Sequence, residues 1–351
     1  MKSAKSVEYH YFPHETEKLA RAIGEKRLLD VLKSMLLIRN FEIRAESAYQ
    51  QGKVGGFFHS YMGQEAIATA AFSAMGRDQW WAGSYRCHAL ALLSGASPNE
   101  LMAELYGKVT GNAKGRGGSM HFFTDRLLGG FGIVGGQIPI ATGAAFAVKY
   151  SKSVKMAKPM PACEVAVCFF GEGAVAQGAF HESLNLASLW DLPAIYVIEN
   201  NQWGMGTGVD RAICVKPIAE KKGPSFDMQA YTLDGMDFFN CIAGFQHIYE
   251  QIKKDSRPVI VEAITERFRG HSISDPALYR AKEDLKQCME RDPLIIMFKT
   301  LAAMGMITEA EYQAMDKEQK DIVVAAMKYA EESPWPDPIE LGEDVFAPER
   351  S

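Results

Sequence analysis

Residues 164–203 read EVAVCFFGEGAVAQGAFHESLNLASLWDLPAIYVIENNQW, and this stretch decides the fold. An apolar run from Glu164 to Phe170 predicts a buried strand, and residues 175–190, after the glycines, predict a helix. A second apolar run, residues 194–198, follows Leu192-Pro193 and predicts another strand. A strand, a helix and a strand with short links predict a right-handed parallel βαβ unit.

The flanking sequence extends this unit into an α/β layer. On the C-terminal side we expect a strand near 230–233, a helix over 238–254 and a strand over 258–265. On the N-terminal side, residues 15–51 predict one long helix that ends at Gly52, and residues 64–75 predict a second helix. Capping boxes at Ser97–Glu100 and Thr308–Glu311 predict helix starts. We therefore expect a doubly wound, mostly parallel sheet, with a helical arm (1–52), an α/β domain (53–281) and a helical tail (282–351).

Long loops rich in glycine and polar residues separate these elements. Residues 107–136 contain ten glycines, and the segments 202–226 and 266–281 also lack a clear period. Ordinary connections span only about 4–6 residues, so loops of this length are usually functional. We expect these three segments to form the walls of a cleft.

Composition and charge narrow the possible classes of protein. Hydrophobic residues make up 47% and charged residues 23% of the 351 residues, which excludes a disordered or fibrous chain. The net charge of −5 gives no electrostatic basis for nucleic-acid binding. No apolar run approaches the roughly 18 residues that a membrane span needs. Neither a nucleic acid nor a membrane is therefore an expected partner.

Cysteine usage and the first residues indicate a compartment. The six cysteines are scattered without a CxxC pair, so we expect free thiols in a reducing environment rather than a zinc site. Residues 1–24 lack the apolar core of a secretion signal and carry Glu8, Glu15 and Glu17, which is atypical of a mitochondrial presequence. We expect a cytoplasmic protein.

Polar residues mark the ends of the two central strands. Gly171-Glu172-Gly173 follows the first strand, and Asn200-Asn201 follows the second. Ligands of open parallel sheets bind beyond the carboxyl ends of the strands, where glycines also let a phosphate approach the backbone. Carboxylate and amide oxygens suit Mg²⁺ or Ca²⁺. A tight turn and an asparagine cap are the alternative interpretation. A binding site is favoured because the βαβ unit brings the two polar segments together.

The spacing between Gly171-Glu172-Gly173 and Asn200-Asn201 resembles that of the thiamine-diphosphate motif, in which a GDG triplet precedes an NN pair by a similar number of residues. Here 26 residues separate Gly173 from Asn200. The surrounding sequence is similar to the α subunits of 2-oxo acid dehydrogenase first components, most of all the pyruvate type. Further blocks carry the resemblance: GFFHSYMGQEA (56–66), GRGGSMH (115–121), GIVGGQ (132–137) and RGHSISDP (269–276).

The resemblance implies two cofactors, thiamine diphosphate and Mg²⁺, and a set of residues that bind them. Glu172, Asn201 and the Trp203 carbonyl would hold the metal. Glu172 replaces the family's usual aspartate, and its carboxylate remains an anionic oxygen donor although it reaches about one ångström further. The resemblance implies cofactor contacts for Tyr85, Arg86, Gly132, Val134, Gly173, Ala174, Asn201 and His271.

The resemblance also implies catalytic roles for two of the eight histidines. His59 would act near the substrate and His271 near the diphosphate. We expect His10, His14, His88, His181 and His247 to be surface or core residues, and the sequence leaves His121 undecided. Ser272 aligns with a serine that is a kinase target in mitochondrial relatives.

The implied reaction is the oxidative decarboxylation of a 2-oxo acid, with transfer of the acyl group to a lipoyl group of an acyltransferase component. In the two-chain family a β subunit supplies the glutamate that activates the cofactor. We therefore expect an α2β2 heterotetramer. The aromatic residues Phe57, Phe58 and Tyr61 favour pyruvate. Acetoin and branched-chain enzymes, and a non-catalytic scaffold for the β subunit, are the alternatives.

Overall fold

The computed structural model describes residues 7–154, 163–342 and 345. Within these residues one sheet contains six parallel strands. These strands are β1 (Trp80–Ser84), β2 (Leu127–Phe131), β3 (Ala166–Gly171), β4 (Ala194–Asn200), β7 (Gln229–Asp234) and β8 (Val259–Ile264). Their order across the sheet is β2-β1-β3-β4-β8-β7. A small antiparallel ribbon consists of β5 (Trp203–Gly204) and β6 (Thr207–Gly208).

Helices precede, connect and follow the strands. The helices before β3 are α1 (Thr16–Ile23), α2 (Glu25–Gln50), α3 (Glu65–Met75), α4 (His88–Ser94), α5 (Pro98–Leu105) and α6 (Gln137–Ser153). Those after β3 are α7 (Gly178–Leu189), α8 (Val209–Ala212), α9 (Ile218–Lys222), α10 (Phe238–Asp255), α11 (Lys282–Glu290), α12 (Pro293–Ala303) and α13 (Glu309–Glu332). Single 3₁₀ turns span Gly118–Met120, Glu172–Ala176, Gly223–Phe226 and Pro338–Gly342.

The sheet is covered on both faces, as a parallel sheet requires. Alternate residues of β3 and β4 enter two separate apolar cores. Val167 and Val197 belong to the core formed with α2, α3, α10 and α13, whereas Cys168 and Tyr196 belong to the core formed with α6 and α7. This arrangement confirms the predicted doubly wound parallel fold.

The central βαβ unit lies close to its predicted bounds, and its register sets up the site. β3 and β4 pair in parallel up to Gly171 and Glu199, so the residues that follow both strands emerge at one edge of the sheet. The glycine-rich segment after β3 is a 3₁₀ turn, and α7 therefore begins at Gly178 rather than at residue 175. Both predicted capping boxes are present, at the starts of α5 and α13.

The prediction of one helix over residues 15–51 is wrong. Gly24 has a φ of 87°, a conformation that a right-handed helix cannot contain, and it separates α1 from α2. The segment 107–136 is mostly loop, as predicted, but it also contains β2, whose sequence LLGGF is shorter and richer in glycine than typical strands. β1, α4 and α6 are further elements that the sequence patterns did not predict.

Buried ion pairs join the N-terminal helices to the C-terminal ones. Arg39 of α2 donates to Glu65 of α3 at 2.6 Å and to Asp292, the N-cap of α12, at 2.7 Å. The three-part division at residues 52 and 281 stays a prediction. Residues 1–6 of the predicted arm, and 343–344 and 346–351 of the predicted tail, lie outside the described residues.

All six cysteines are free thiols. In the ranges 7–154, 163–342 and 345, no helix combines the length and the apolar character needed to cross a bilayer.

Candidate active site

A cavity of about 530 Å³ lies at the carboxyl ends of β1, β2, β3 and β4. The connection after β1 leads to β2 on one side, whereas the connection after the neighbouring strand β3 leads to β4 on the other side. The cavity therefore lies at a topological switch point of the sheet. All eleven residues with a predicted site role line it: His59, Tyr85, Arg86, Gly132, Val134, Glu172, Gly173, Ala174, Asn201, Trp203 and His271. The fold therefore brings together residues that five separate sequence blocks contribute, while their individual roles stay predictions.

Glycines after β3 form an open floor in the cavity. A β-carbon built on Gly171 or Gly173 would meet no heavy atom within 4 Å, so the backbone there faces free space. On the opposite wall, a β-carbon on Gly132 would lie 3.2 Å from Nε2 of His121, whose Nδ1 lies 2.9 Å from the Gly117 carbonyl oxygen. A bulky ligand group can therefore approach the main chain on the β3 side.

Residues with oxygen atoms that suit a divalent cation line this side of the cavity. Glu172 is 2% exposed, and a β-carbon on Gly204 would lie 3.9 Å from its Oε1, so the carboxylate extends towards the ribbon that carries Trp203. Asn201 is held by its Nδ2, which donates to Oε1 of Gln64 at 3.1 Å. Its Oδ1 accepts from the Trp203 N–H at a long 3.3 Å.

The two asparagines of the NN pair have different functions in the structure. Nδ2 of Asn200 donates to Glu262 of β8 at 2.7 Å, and its Oδ1 accepts from the Gln202 N–H at 3.1 Å. Asn200 is fully buried and is absent from the cavity wall. It shapes the turn that presents Asn201.

Burial dominates the electrostatics of Glu172. It raises the pKa of this carboxyl group, and the main-chain N–H groups of Glu172 and Asn201 and the charge of Arg267 offset that effect only in part. In the described part of the chain, no cation forms an ion pair with Glu172. A divalent cation would supply the missing positive charge.

Three aromatic rings form one wall. The centroids of His59 and Tyr85 are 4.5 Å apart, those of His59 and His271 are 5.2 Å apart, and those of Tyr85 and His271 are 5.5 Å apart. Nδ1 of each histidine is buried without a hydrogen-bond partner in the described structure. Buried polar atoms are normally paired, so these two nitrogens are candidates for contact with a ligand.

Both histidines are neutral at pH 7. Burial lowers the pKa of His59 to about 2, with Arg86 and His271 adding to the effect. Burial, Arg86 and Arg267 lower the pKa of His271 to about 4, against the opposing charge of Asp275. Each neutral imidazole offers one N–H and one lone pair.

Arg86 joins two loops at the cavity. Its guanidinium donates to the carbonyl oxygens of Ser60 at 2.7 Å and of His271 at 2.5 Å. It is 5% exposed, and burial lowers its pKa. Two of its five N–H donors are therefore used by the protein, which leaves donors for an anion.

The cavity also contains polar residues to which the sequence analysis gave no role. Glu199 accepts a short hydrogen bond from the Tyr61 hydroxyl, and burial raises the pKa of Glu199 to about 7, with the Tyr61 bond and Arg86 lowering it. Gln64 fixes Asn201, and Gln137 donates to the Phe169 carbonyl at 3.0 Å. These residues lie inside the blocks that carry the family resemblance, so membership of a block was the available signal.

Comparison with known proteins supports the assignment that the geometry suggests. Residues 33–339 match the family model described as "Dehydrogenase E1 component". The chain belongs to the dehydrogenase E1 component family. This result confirms the resemblance that the sequence motifs indicated.

Curated relatives are similar to this E1 chain over most of their length. It is 43% identical over 316 residues to the pyruvate dehydrogenase E1 component subunit alpha of Rickettsia felis, covering 90% of this chain and 94% of the relative. The protein of the same name in Rhizobium meliloti is 40% identical over 321 residues, with 91% and 89% coverage. The chloroplastic subunit alpha-3 of Arabidopsis thaliana is 38% identical over 334 residues, with 95% and 77% coverage.

Proposed function

We propose that this chain is the α subunit of a thiamine-diphosphate-dependent pyruvate dehydrogenase (acetyl-transferring). It acts in the oxidative decarboxylation of pyruvate and in transfer of the acetyl group to a lipoyl group of the acyltransferase component. The observation that carries the proposal is the convergence of eleven residues from separate blocks on one cavity at the strand ends. The names of the E1 relatives support pyruvate as the substrate.

The residues present fit thiamine diphosphate and Mg²⁺. The open floor at Gly171 and Gly173 accommodates a phosphate group, and Glu172 offers a buried carboxylate without a cation. The described residues contain no group of three or more His, Cys, Asp or Glu side chains that could hold a metal by themselves. Glu172, Asn201 and the Trp203 carbonyl would hold Mg²⁺ with three oxygen ligands, which would leave positions for diphosphate oxygens or water.

The chain's own residues would bind and orient the cofactor. Tyr85 and Arg86 would contact the diphosphate, while Gly132, Val134 and Ala174 would line the cofactor. When bound, thiamine diphosphate supplies the electron sink for loss of CO₂ from a 2-oxo acid.

The two histidines are suited to hydrogen bonding rather than to charge pairing. His271 would hold a diphosphate oxygen with a ring N–H, and His59 would present an N–H or a lone pair to the substrate. Because both imidazoles are neutral at pH 7, either can move a proton without first losing one.

A partner subunit is needed to close the cavity. The outer side of α6 and α7 exposes large apolar side chains, including Phe146 at 45%, Leu189 at 68% and Trp190 at 44% exposure. Both helices begin beside the cavity wall, and Ile140 in the first turn of α6 is also 48% exposed. A protein that covers the helices along their whole length would therefore also reach the cofactor. We propose that the β subunit covers this surface, in an α2β2 heterotetramer that receives the lipoyl domain of the acyltransferase component.

Steady-state kinetics of the complex with its β subunit would test the substrate. We expect kcat/KM for pyruvate to exceed those for acetoin and for branched 2-oxo acids. A higher kcat/KM for acetoin or for a branched 2-oxo acid would instead assign the chain to the acetoin or branched-chain enzymes.

A thermal-shift titration would test the scaffold alternative. The complex should gain stability with thiamine diphosphate and Mg²⁺ together, because a ligand that binds only the native state raises the unfolding midpoint. Absence of any shift would favour a non-catalytic scaffold.

A further inference from the structure

Three buried side chains form a hydrogen-bonded chain next to the cavity. Nδ1 of His88, the first residue of α4, lies 2.9 Å from Oε1 of Glu42 in α2, and its Nε2 lies 2.8 Å from Oγ of Ser119. Glu42 and His88 are 0% exposed and Ser119 is 2% exposed. The order of serine, histidine and carboxylate is that of a hydrolase triad, but this hydroxyl does not line the cavity, so it has no substrate to attack.

The two ends of this hydrogen-bonded network, Ser119 and Glu42, hold the main-chain segment that carries His59. The His59 N–H donates to Oγ of Ser119 at 3.4 Å, and the Tyr61 N–H donates to Oε1 of Glu42 at 3.0 Å. The two anchors are two residues apart, so together they fix the direction of the peptide planes between them.

The anchored segment contributes three contacts to the site. It presents the His59 ring to the cavity, the Ser60 carbonyl to the Arg86 guanidinium, and the Tyr61 hydroxyl to Glu199. A rotation of this short segment would displace all three groups at once.

His88, the middle residue of this hydrogen-bonded network, is held firmly by its neighbours. The His88 ring packs against Phe58 at 5.1 Å, Phe122 at 5.2 Å and Phe41 at 6.0 Å between centroids. Its Nε2 also lies 3.1 Å from the Ser119 carbonyl oxygen. Whether Nε2 accepts the hydroxyl proton or donates its own, the ring stays bonded to Ser119.

We propose that Glu42, His88 and Ser119 are positioning residues that hold His59 in its reactive orientation. The proposal rests on the role of His59 in the proposed function. None of the three touches the cavity, so they act through the main chain of residues 59–61 and not on the substrate.

Hydrogen exchange in the complex with the β subunit tests the anchoring directly. Ser119→Ala removes the hydroxyl and leaves the loop otherwise intact, so exchange in a peptide covering residues 57–62 should accelerate about ten-fold. Ser94→Ala is the matched control, because Ser94 is a half-buried serine on the same helix as His88 whose hydroxyl bonds the Ala91 carbonyl and the Thr124 hydroxyl. It should leave that peptide unchanged.

Kinetics then separate positioning from loss of structure. A displaced His59 should lower kcat about 10- to 100-fold, while the apparent affinity for thiamine diphosphate stays within about three-fold, since Glu172 and Asn201 are untouched. Ser119→Thr keeps the hydroxyl and should recover most of kcat.

Unchanged exchange over residues 57–62 in Ser119→Ala would overturn the proposal, as would a kcat equal to that of the wild type. Exchange is measured without substrate, so this result is independent of the acid that the enzyme uses. Failure of the wild-type complex to turn over pyruvate would count against the proposed function alone.

Discussion

Arg86 donates from its guanidinium to the carbonyl oxygen of His271 at 2.5 Å, although 185 residues separate them in sequence. The same guanidinium donates to the carbonyl oxygen of Ser60. A residue predicted to contact the diphosphate therefore also holds the two loops that carry the active-site histidines. This geometry couples the binding of an anion at Arg86 to the ordering of the two loops that carry His59 and His271.

Arg86→Lys should weaken thiamine diphosphate binding about ten-fold or more. One ammonium group cannot span two carbonyl oxygens and a phosphate as a planar guanidinium does. Titration of the complex with thiamine diphosphate at fixed Mg²⁺ would measure the apparent Kd. Arg21→Lys changes an exposed arginine on α1 and is the control. An unchanged Kd for Arg86→Lys would show that Arg86 does not contact the cofactor.

The sequence was sufficient to predict the candidate site but not the contacts that support it. Glu172 and Asn201 could be placed together because they follow adjacent parallel strands. The anchoring of Asn201 by Gln64, and of Tyr61 by Glu199, depends on contacts between residues more than 130 positions apart. Periodicity and local motifs carry no information about such contacts.

Glu172→Ala should abolish metal-dependent cofactor binding, with a loss of affinity on the order of 100-fold or more. Glu172→Asp should keep much of the affinity, because the carboxylate remains and only its reach is shorter. Thermal shifts with and without Mg²⁺ would distinguish these variants. Turnover at the wild-type rate by Glu172→Ala would refute the metal assignment.

The two missed strands and the missed break between α1 and α2 have a common physical cause. β1 and β2 carry glycines, at Gly83 and at Gly129-Gly130, in places where a side chain would collide with a neighbour or where φ is positive. Those glycines interrupt the apolar pattern that identifies a strand. In the same way, Gly24 interrupts an otherwise continuous helical pattern, and only its φ shows that the chain turns there.

The contribution of the two active-site histidines to the stability of the cofactor-free complex should fall as the pH drops from about 7 towards 4. His271 and His59 have folded-state pKa values of about 4 and about 2, below the ordinary 6.5, so below pH 6.5 the unfolded chain binds more protons. Carboxyl groups whose pKa is raised by burial have the opposite effect: Glu199, with a pKa of about 7, and also Glu65, Glu172, Asp234, Glu262 and Glu266.

The His271→Asn variant isolates the histidine contribution to this pH dependence. Between pH 6.5 and 4 its unfolding free energy should fall less steeply than that of the wild type, by up to about 1.4 kcal/mol per pH unit. Urea unfolding at several pH values would measure the slopes, with Val134→Ala as a cavity variant that does not titrate. Identical slopes would show that His271 is protonated as readily in the folded protein as in the unfolded chain.

The chain expressed without its β subunit should self-associate and show no 2-oxo acid decarboxylation. The apolar surface of α6 and α7 would be exposed, and the cavity would be open. Leu189→Asp places a charge on this surface and should reduce co-purification of the β subunit about ten-fold, since burial of an unpaired charge is costly. Val324→Asp on α13 is a matched control, because Val324 is also an exposed apolar residue. A monodisperse, active single chain would contradict the heterotetramer.

Ser272→Glu should lower activity about ten-fold or more, whereas Ser272→Ala should keep most of it. Ser272 is 8% exposed and lines the cavity next to His271, so an added carboxylate would lie beside the position proposed for the diphosphate. Repulsion between the two anions would weaken cofactor binding and displace the loop. Leu278→Glu adds the same charge to a residue of the same loop that is 88% exposed, and is the control. Rates and cofactor affinity of the complex would be measured for all three variants. Equal losses in Ser272→Glu and Leu278→Glu would mean that charge anywhere in the loop is harmful. Full activity of Ser272→Glu would show that this loop does not form a wall of the active site and would remove the role given to His271.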